Sequence, residues 1–434
     1  MNKLSAPVDI LVLGSGGREH ALVCSLAAAP DCGRIWAAPG NGGTAALATN
    51  VALDANNPVA VADFARQQQV GLVVIGPEQP LVNGVADTLR AQGTATFGPG
   101  AAGAALEGSK SGAKRFMQSH GLPTAAWSSF NDLDAALAYL QSQSLPIVIK
   151  ADGLAAGKGV TVAQTATEAA TAVRECLDGR FGPAGATVVI EAALRGPECS
   201  LLVFTDGRRI LPMAPAQDHK RVGEGDTGPN TGGMGVYSPV PIVRADEQQK
   251  MLEIMETAVL GLAAEGIDYR GVLYGGFMLT DSGPQLLEFN ARFGDPETQV
   301  LLPRLQSDLL TVMLAVAAGD ISGMELSWSP DWAVSVVLCS PGYPGDYPTG
   351  LPISGLAAAA QLPGVTIYQA GTQQTADGQL LTAGGRVLDV TALGSTFAEA
   401  RERAYAAVRQ IEFSGCVYRR DIGERALRGR EAWS

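Results

Sequence analysis

"DILVLGSGGREHALVCSLAAA", residues 9–29, reads as a strand, a glycine turn and a helix. The units that follow repeat the alternation. "RIWAAPGN" and "VGLVVIGPE" carry strands, and "VADFARQQQ" and "NGVADTLRAQG" carry helices. Strands alternating with helices over the first hundred residues imply a parallel, doubly wound sheet. Such a sheet binds ligands outside the carboxyl ends of its strands, which places Gly14–His20, Pro39–Gly43 and Gly76–Pro80 at the crevice. Gly14 and Gly16 match the opening of a dinucleotide fingerprint, but Glu19 stands where its third glycine belongs. The helix N-terminus there can still hold a phosphate, with Arg18 adding charge. The plainer alternative is a tight turn without a ligand.

Composition narrows the classes. A chain of 434 residues suggests about three domains. Its formal charge is −12, which argues against wholesale binding to nucleic acid or an anionic membrane, since both need a basic face. The apolar run near the N-terminus is too short for a membrane span and lacks a signal-peptide layout. Six cysteines without a C-x-x-C pair read as reduced packing residues in a cytoplasmic protein. Three histidines far apart in sequence make a His-rich zinc site unexpected.

Beyond Ala101 the pattern changes. "GSKSGAKRFMQSHGLPT" is a basic helix stopped by Gly121 and Pro123. Mostly antiparallel strands follow, then a glycine-rich loop, a long helix from about Arg244 to Gly266, and a hairpin of "GVLYGGFMLT" with "PQLLEFNARF" across "DSG". A last segment begins with the strand "AVSVVLCS".

Three stretches carry chemistry. In "LLEFNARFGDPET", residues 286–298, alternation sets Leu287, Phe289 and Ala291 on one face and Glu288, Asn290 and Arg292 on the other. Glu and Asn offer the hard oxygens that Mg²⁺ takes together with substrate phosphates, and Arg stabilises phosphoryl charge. A metal–phosphate site is expected, against the alternative of an amphipathic strand with a wet face. "IVIKADGLAAGKGV" joins two strands through a glycine-rich loop carrying Lys158, with Lys150 at the first strand's end. Glycines let backbone N–H groups close on phosphate oxygens. It is not a Walker A loop, because its spacing is one residue short and Gly159 replaces Ser or Thr. In "AQDHKRVGEGDTGPNTGGMG", Asp218 can hold an amine and Lys220 a carboxylate or phosphate. Glu191 and Glu198 read as surface residues by default.

Together these residues resemble the ATP-grasp superfamily. "GSGGREHAL", "GPEQPLVNGV", "LEGSK", "IKADGLAAGKGV", "QDHKRVGEGDTGPNTGGMG", "EFNARFGDPETQ", "GGRVLDVTALG" and "YRRDIG" occur in the order and spacing of the phosphoribosylamine–glycine ligase family. The resemblance covers essentially the whole chain. It implies ATP-dependent ligation of glycine to 5-phosphoribosylamine in purine synthesis, through glycyl phosphate, with ADP and phosphate released. It implies Mg²⁺ (or Mn²⁺) on Glu288 and Asn290, and Arg292 facing the transferring phosphoryl group. Lys110 and Lys150 would touch ATP phosphates, with Lys158 on a mobile lid. Backbone groups after Glu191 would read adenine, and Glu198 its ribose. Gly16, Gly17 and Arg18 would hold the substrate 5-phosphate, with Glu78 near that sugar. Asp218 and Lys220 would serve glycine or its acyl phosphate.

The implied architecture is α/β and α+β. It has an N-terminal doubly wound domain (1–105), a linker helix (106–125), an ATP-grasp lid (126–192), an ATP-grasp central part (193–329) and a C-terminal α+β domain (330–434). A monomer is expected, with transient contact to the enzyme that supplies phosphoribosylamine. Competing readings are a ligase with a different amine, a dinucleotide oxidoreductase using "GSGGREH", and a nucleotide-binding regulator without turnover.

Overall fold

The structure, a computed structural model, describes residues 6–155 and 159–428. The N-terminal sheet has five parallel strands in the order Thr49–Asn50, Cys32–Pro39, Val8–Gly14, Leu72–Ile75, Thr96–Phe97. Its central strand is buried on both faces: Leu11 and Leu13 join one apolar core, Ile10 and Val12 another. The chain leaves this strand to one side for Cys32–Pro39 and returns on the other for Leu72–Ile75. The topological switch point therefore lies where Gly14 and Gly76 end neighbouring strands.

The basic helix runs Lys110–Ser119, its N-terminus capped by the Ser109 hydroxyl, which accepts from the Gly112 N–H at 3.0 Å. It leads to a four-stranded antiparallel sheet, Trp127–Phe130, Val188–Ala192, Ile147–Ala151, Val160–Ala163. Helices Leu133–Leu140 and Ala166–Glu175 flank it, and it has its own small core around Ile147, Ile149 and Ile190. The "IKADGLAAGKGV" stretch does join two antiparallel strands, with Lys150 opposite Val160. Lys158 lies outside the described residues.

A second antiparallel sheet orders Ile210–Pro212, Glu198–Thr205, Gly271–Thr280, Gly283–Asn290. The last two strands form the expected hairpin. The long helix Ala245–Ala264 buries Met251, Met255 and Val259. The third large sheet takes Gln217–Asp218 and Gly235–Ser238 from the central segment and adds Trp332–Cys339, Arg386–Gly394 and Val365–Gln369. This sheet ties the central and C-terminal segments together.

One expectation fails locally. The strand Gly283–Asn290 does not alternate cleanly: Gly276 pairs with Glu288 but Phe277 with Leu286, so Leu287 is the extra residue of a bulge. Leu286 and Phe289 both enter the core with Ala291, while Leu287 is only half-buried. The apolar face is thus Leu286, Phe289 and Ala291, rather than one that includes Leu287.

Candidate active site

A cavity of about 790 Å³ opens where the three sheets and the switch point converge. Lys110, Lys150, Glu191, Glu198, Asp218 and Lys220 line it. Arg18, Glu78, Glu288, Asn290 and Arg292 do so as well. Residues from seven separated stretches of sequence therefore meet in one place.

The strand Gly283–Asn290 carries the site's centre. Lys220 Nζ lies 3.6 Å from Glu288 Oε1 and 3.4 Å from Glu198 Oε2. Burial works to raise Glu288, but Lys220, Lys150, Lys110 and Arg292 outweigh it and hold its carboxyl at about 2. The group is therefore ionised at any physiological pH. Arg292 is clamped by Glu107 Oε1 at 2.9 Å and Glu78 Oε2 at 3.5 Å, and its Nη2 reaches Asn290 Oδ1 at 3.4 Å. Glu107 also accepts the Ala291 N–H at 2.7 Å, fixing the strand's exit.

The lysines are held from below. Glu191, 2% exposed, receives Lys150 Nζ on Oε1 and Lys114 Nζ on Oε2, each at 2.7 Å. Glu191 is not the surface residue that its type suggests. Lys114 Nζ also donates to Thr124 Oγ1 at 2.7 Å, and Thr124 to the Leu286 carbonyl at 2.6 Å. Desolvation brings Lys114 down to about 8, against the pull of Glu191. Lys150 Nζ reaches the carbonyl of the bulged Leu287 at 3.4 Å. Lys110 Nζ donates to the Gly153 carbonyl at 2.9 Å, at the base of the glycine loop.

Asp218 ends the short strand Gln217–Asp218. Burial raises it first, Lys220 opposes, and Glu297, Glu198 and Glu288 raise it further, to about 7. Glu297 is buried, and its Oε1 accepts from Ser200 Oγ and Tyr274 OH, each at 3.1 Å.

At the switch point, Arg18 Nη1 donates to the Phe293 carbonyl at 3.1 Å, and Arg18 Nε pairs with Glu19 Oε1 at 2.5 Å. Glu19 Oε2 takes the Gly16 N–H at 2.6 Å. A methyl group at Gly76 would sit 2.1 Å from Glu19 Oε1, so the Glu19 side chain fills the hollow of the glycine turn. A dinucleotide pyrophosphate has no room against that turn, which removes the oxidoreductase reading. Arg18 and Glu78 face the cavity, whereas the Gly16 amide is already spent on Glu19 and Gly17 is buried away from it. The loop Pro39–Gly43 turns instead to the C-terminal segment: Asn41 Nδ2 donates to the Gln369 carbonyl at 2.6 Å.

The sequence reading missed Glu107, Lys114, Tyr274, Glu297, Asp295 and Arg386, all of which line the cavity. One signal was available: Lys114 follows Lys110 by four residues and shares its helix face.

Among the described residues no cluster of three His, Cys, Asp or Glu is arranged for a metal. Ionised Glu288 beside Asn290 offers a carboxylate and an amide oxygen, hard donors of the kind that Mg²⁺ takes. No described helix is long and apolar enough to cross a membrane.

Comparison with known proteins agrees with this geometry. Residues 8–107 match the phosphoribosylglycinamide synthetase N domain, 108–298 its ATP-grasp (A) domain and 333–425 its C domain. A phosphoribosylamine–glycine ligase from Rhizobium meliloti is 51% identical over 97% of this chain and 99% of its own length. The ligase of the same name from Escherichia coli O6:H1 is 50% identical over 97% and 99%. The crystal structure of phosphoribosylamine–glycine ligase from Thermotoga maritima superposes with a TM-score of 0.83 at 34% identity, covering 96% of this chain and all of the other. Three family domains in order, and half the residues shared with relatives along nearly the full length, establish that this chain belongs to the phosphoribosylglycinamide synthetase family, the phosphoribosylamine–glycine ligases.

Proposed function

We propose that the cavity joins glycine to 5-phosphoribosylamine with ATP, by way of glycyl phosphate, and that the residues above divide the work. The observation that carries this reading is the convergence of Lys110, Lys150, Lys220 and Arg292 on one ionised carboxylate, Glu288. Phosphoryl transfer needs positioning and charge neutralisation more than covalent help from the protein.

In this reading Lys110 and Lys150 hold ATP phosphates, and Lys158 of the glycine loop adds a further cation. Backbone groups after Glu191 read adenine, and Glu198 holds the ribose. Glu288 and Asn290 would hold Mg²⁺, with Mn²⁺ as a substitute, and the bound ion would neutralise phosphate charge. A glycine carboxylate oxygen attacks the γ-phosphorus, the bond to ADP breaks, and Arg292 stabilises the equatorial charge. The amine of phosphoribosylamine then attacks the glycyl carbonyl carbon, and phosphate leaves. Asp218, poised at about 7, takes the proton that the amine loses, and Lys220 steadies the carboxyl or acyl phosphate. Arg18 holds the 5-phosphate, with the Gly16–Gly17 turn behind it and Glu78 near the sugar. The cavity excludes water from the anhydride when the loop is closed. The protein works as a monomer in the cytoplasm, with transient contact to the enzyme supplying the labile amine.

The test is ADP release with ATP, Mg²⁺ and glycine, with and without phosphoribosylamine formed in situ from ribose 5-phosphate and ammonia. Release that requires both, with the ligated product seen by mass spectrometry, is the expected result. Release with glycine and a different amine would move the reading to another acid–amine pair.

A further inference from the structure

The strand Arg386–Gly394 carries a bulge at Val387: Leu338 pairs with Leu388, but Cys339 with Arg386. Val387 and Leu388 both enter the same apolar core, so Arg386 and Asp389 come round to one side. Arg386 meets the loop after Arg292. Arg386 Nη1 donates to the Asp295 carbonyl at 2.8 Å and the Gly232 carbonyl at 2.7 Å, and its Nη2 lies 3.3 Å from Asp295 Oδ2. Asp389 lies against the glycine turn. A side chain at Gly17 would start 2.0 Å from Asp389 Oδ2 and 2.7 Å from Gln299 Nε2. One at Gly16 would start 3.1 Å from Asp295 Oδ2. Gln299 Nε2 donates to Asp295 Oδ1 at 2.9 Å, closing the ring of contacts.

Asp389 is 1% exposed, and neither of its oxygens has a well-formed hydrogen bond among the described residues; Gln299 Oε1 is in the same state. Buried acceptors without a donor are costly. A single proton on Asp389 removes a buried, unpaired charge and turns one orphaned acceptor into a donor. Burial and then the Asp295 carboxylate push Asp389 up, to about 7, against Arg386 and the Gln299 amide. Burial would raise Asp295 too, but Arg386, Arg18, the Gln299 amide and Arg292 keep it below the ordinary range. One of the two acids carries the charge and the other the proton.

We propose that Asp389 is a positioning residue for the phosphorylated sugar: as the neutral acid it braces Asp295, and with it Arg386, behind the Gly16–Arg18 turn. This rests on the reading of that turn as the 5-phosphate end. Ionised Asp389 puts a second negative charge beside Asp295, competes for Arg386 and repels the incoming phosphate. The other groups around Asp389 do not titrate near neutrality. Burial pushes Tyr368 and Cys339, on the two flanking strands, far above it. Burial holds His20 of the first helix, edge-on to Tyr368, at about 4. Asp389 is therefore the group here that changes charge in the working range.

The experiment measures ribose 5-phosphate binding by calorimetry to the full-length protein, wild type and Asp389→Asn, from pH 6 to pH 8. Asn keeps the shape and cannot ionise. The ratio of wild-type to variant affinity cancels the ligand's own titration. It is expected to fall about tenfold over that span, because apparent Kd scales inversely with the competent fraction. Thermal midpoints at each pH establish that both proteins are folded. A ratio that stays constant overturns the proposal. Arg18→Ala separates the two levels: it should lose affinity at both pH values. A constant ratio with an intact Arg18 effect sinks the role of Asp389 alone. No Arg18 effect sinks the phosphate reading and this proposal with it.

Discussion

Glu288, half-buried, and Glu191, buried, are two carboxylates with opposite duties. Glu288 faces the cavity with cations around it and is ionised. Replacing it with Ala should lower kcat by at least about a hundredfold, comparable to losing a preorganised electrostatic contact. The thermal midpoint should barely move, because one face of the residue is already wet. Near-normal turnover in a folded Glu288→Ala protein would sink the metal assignment. Glu191 instead lies under the site, shared by Lys114 and Lys150. Glu191→Gln leaves two buried ammonium groups facing an amide, a loss of about 3–5 kcal/mol. Urea unfolding should show the midpoint fall; an unchanged midpoint would mean that water in the cavity already screens these lysines. Motif reading reached Glu288 because its neighbours in sequence, Asn290 and Arg292, belong to the same chemistry. It left Glu191 at the surface, because its two lysine partners lie 77 and 41 positions away along the chain.

At the scale of elements, the glycine turn after the first strand works by what occupies it. Glu19 folds back over Gly14, Gly16 and Gly76 and takes an amide that the helix N-terminus leaves free. Gly17 has no such slack: any side chain meets Asp389 within 2.0 Å. Gly17→Ala must displace the buried Asp389 and Gln299 side chains or the first helix, a cost of about 1–3 kcal/mol for overpacking. The KM for the sugar phosphate should rise with it, and steady-state kinetics with a melting curve reads both. An alanine variant with unchanged midpoint and KM would show that the helix and strand are not locked together there. Strand, turn and helix were all legible at residues 9–29, and so were the hairpin and the basic helix. The two bulges, at Leu287 and Val387, were not. A bulge is set by pairing with another strand, and alternation within one strand carries no mark of it.

At the scale of the whole molecule, neutral histidines help fasten the N-terminal and central parts to the C-terminal one. His20 Nδ1 accepts the Gln369 N–H at 2.8 Å, and His219 Nε2 accepts the Gly423 N–H at 3.1 Å. Desolvation holds His20 at about 4 and, with Arg419 and Arg425 adding to it, His219 at about 3. The unfolded chain, with imidazoles near 6.5, binds protons that the folded one refuses. Stability is therefore full above about pH 6.5 and falls as pH drops toward 4, by about 3 kcal/mol for His20 alone at 1.36 kcal/mol per pKa unit. Thermal midpoints from pH 7 to pH 4.5 should drop, and His20→Gln should shrink the drop. A drop of equal size in the variant would assign the acid sensitivity elsewhere.

The amino-acid sequence by itself determined the local elements and the family. Hydrophobic period, caps and glycine placement act over a few residues, and the long motifs lie unbroken along the chain. Tertiary structure alone decided which charges meet. The Glu191 bridge, the Glu107 clamp on Arg292 and the Asp295–Arg386–Asp389 group each join stretches far apart in sequence. In the last two, protonation follows from burial and from neighbours across the cavity, and both come into being only when the sheets close on one another.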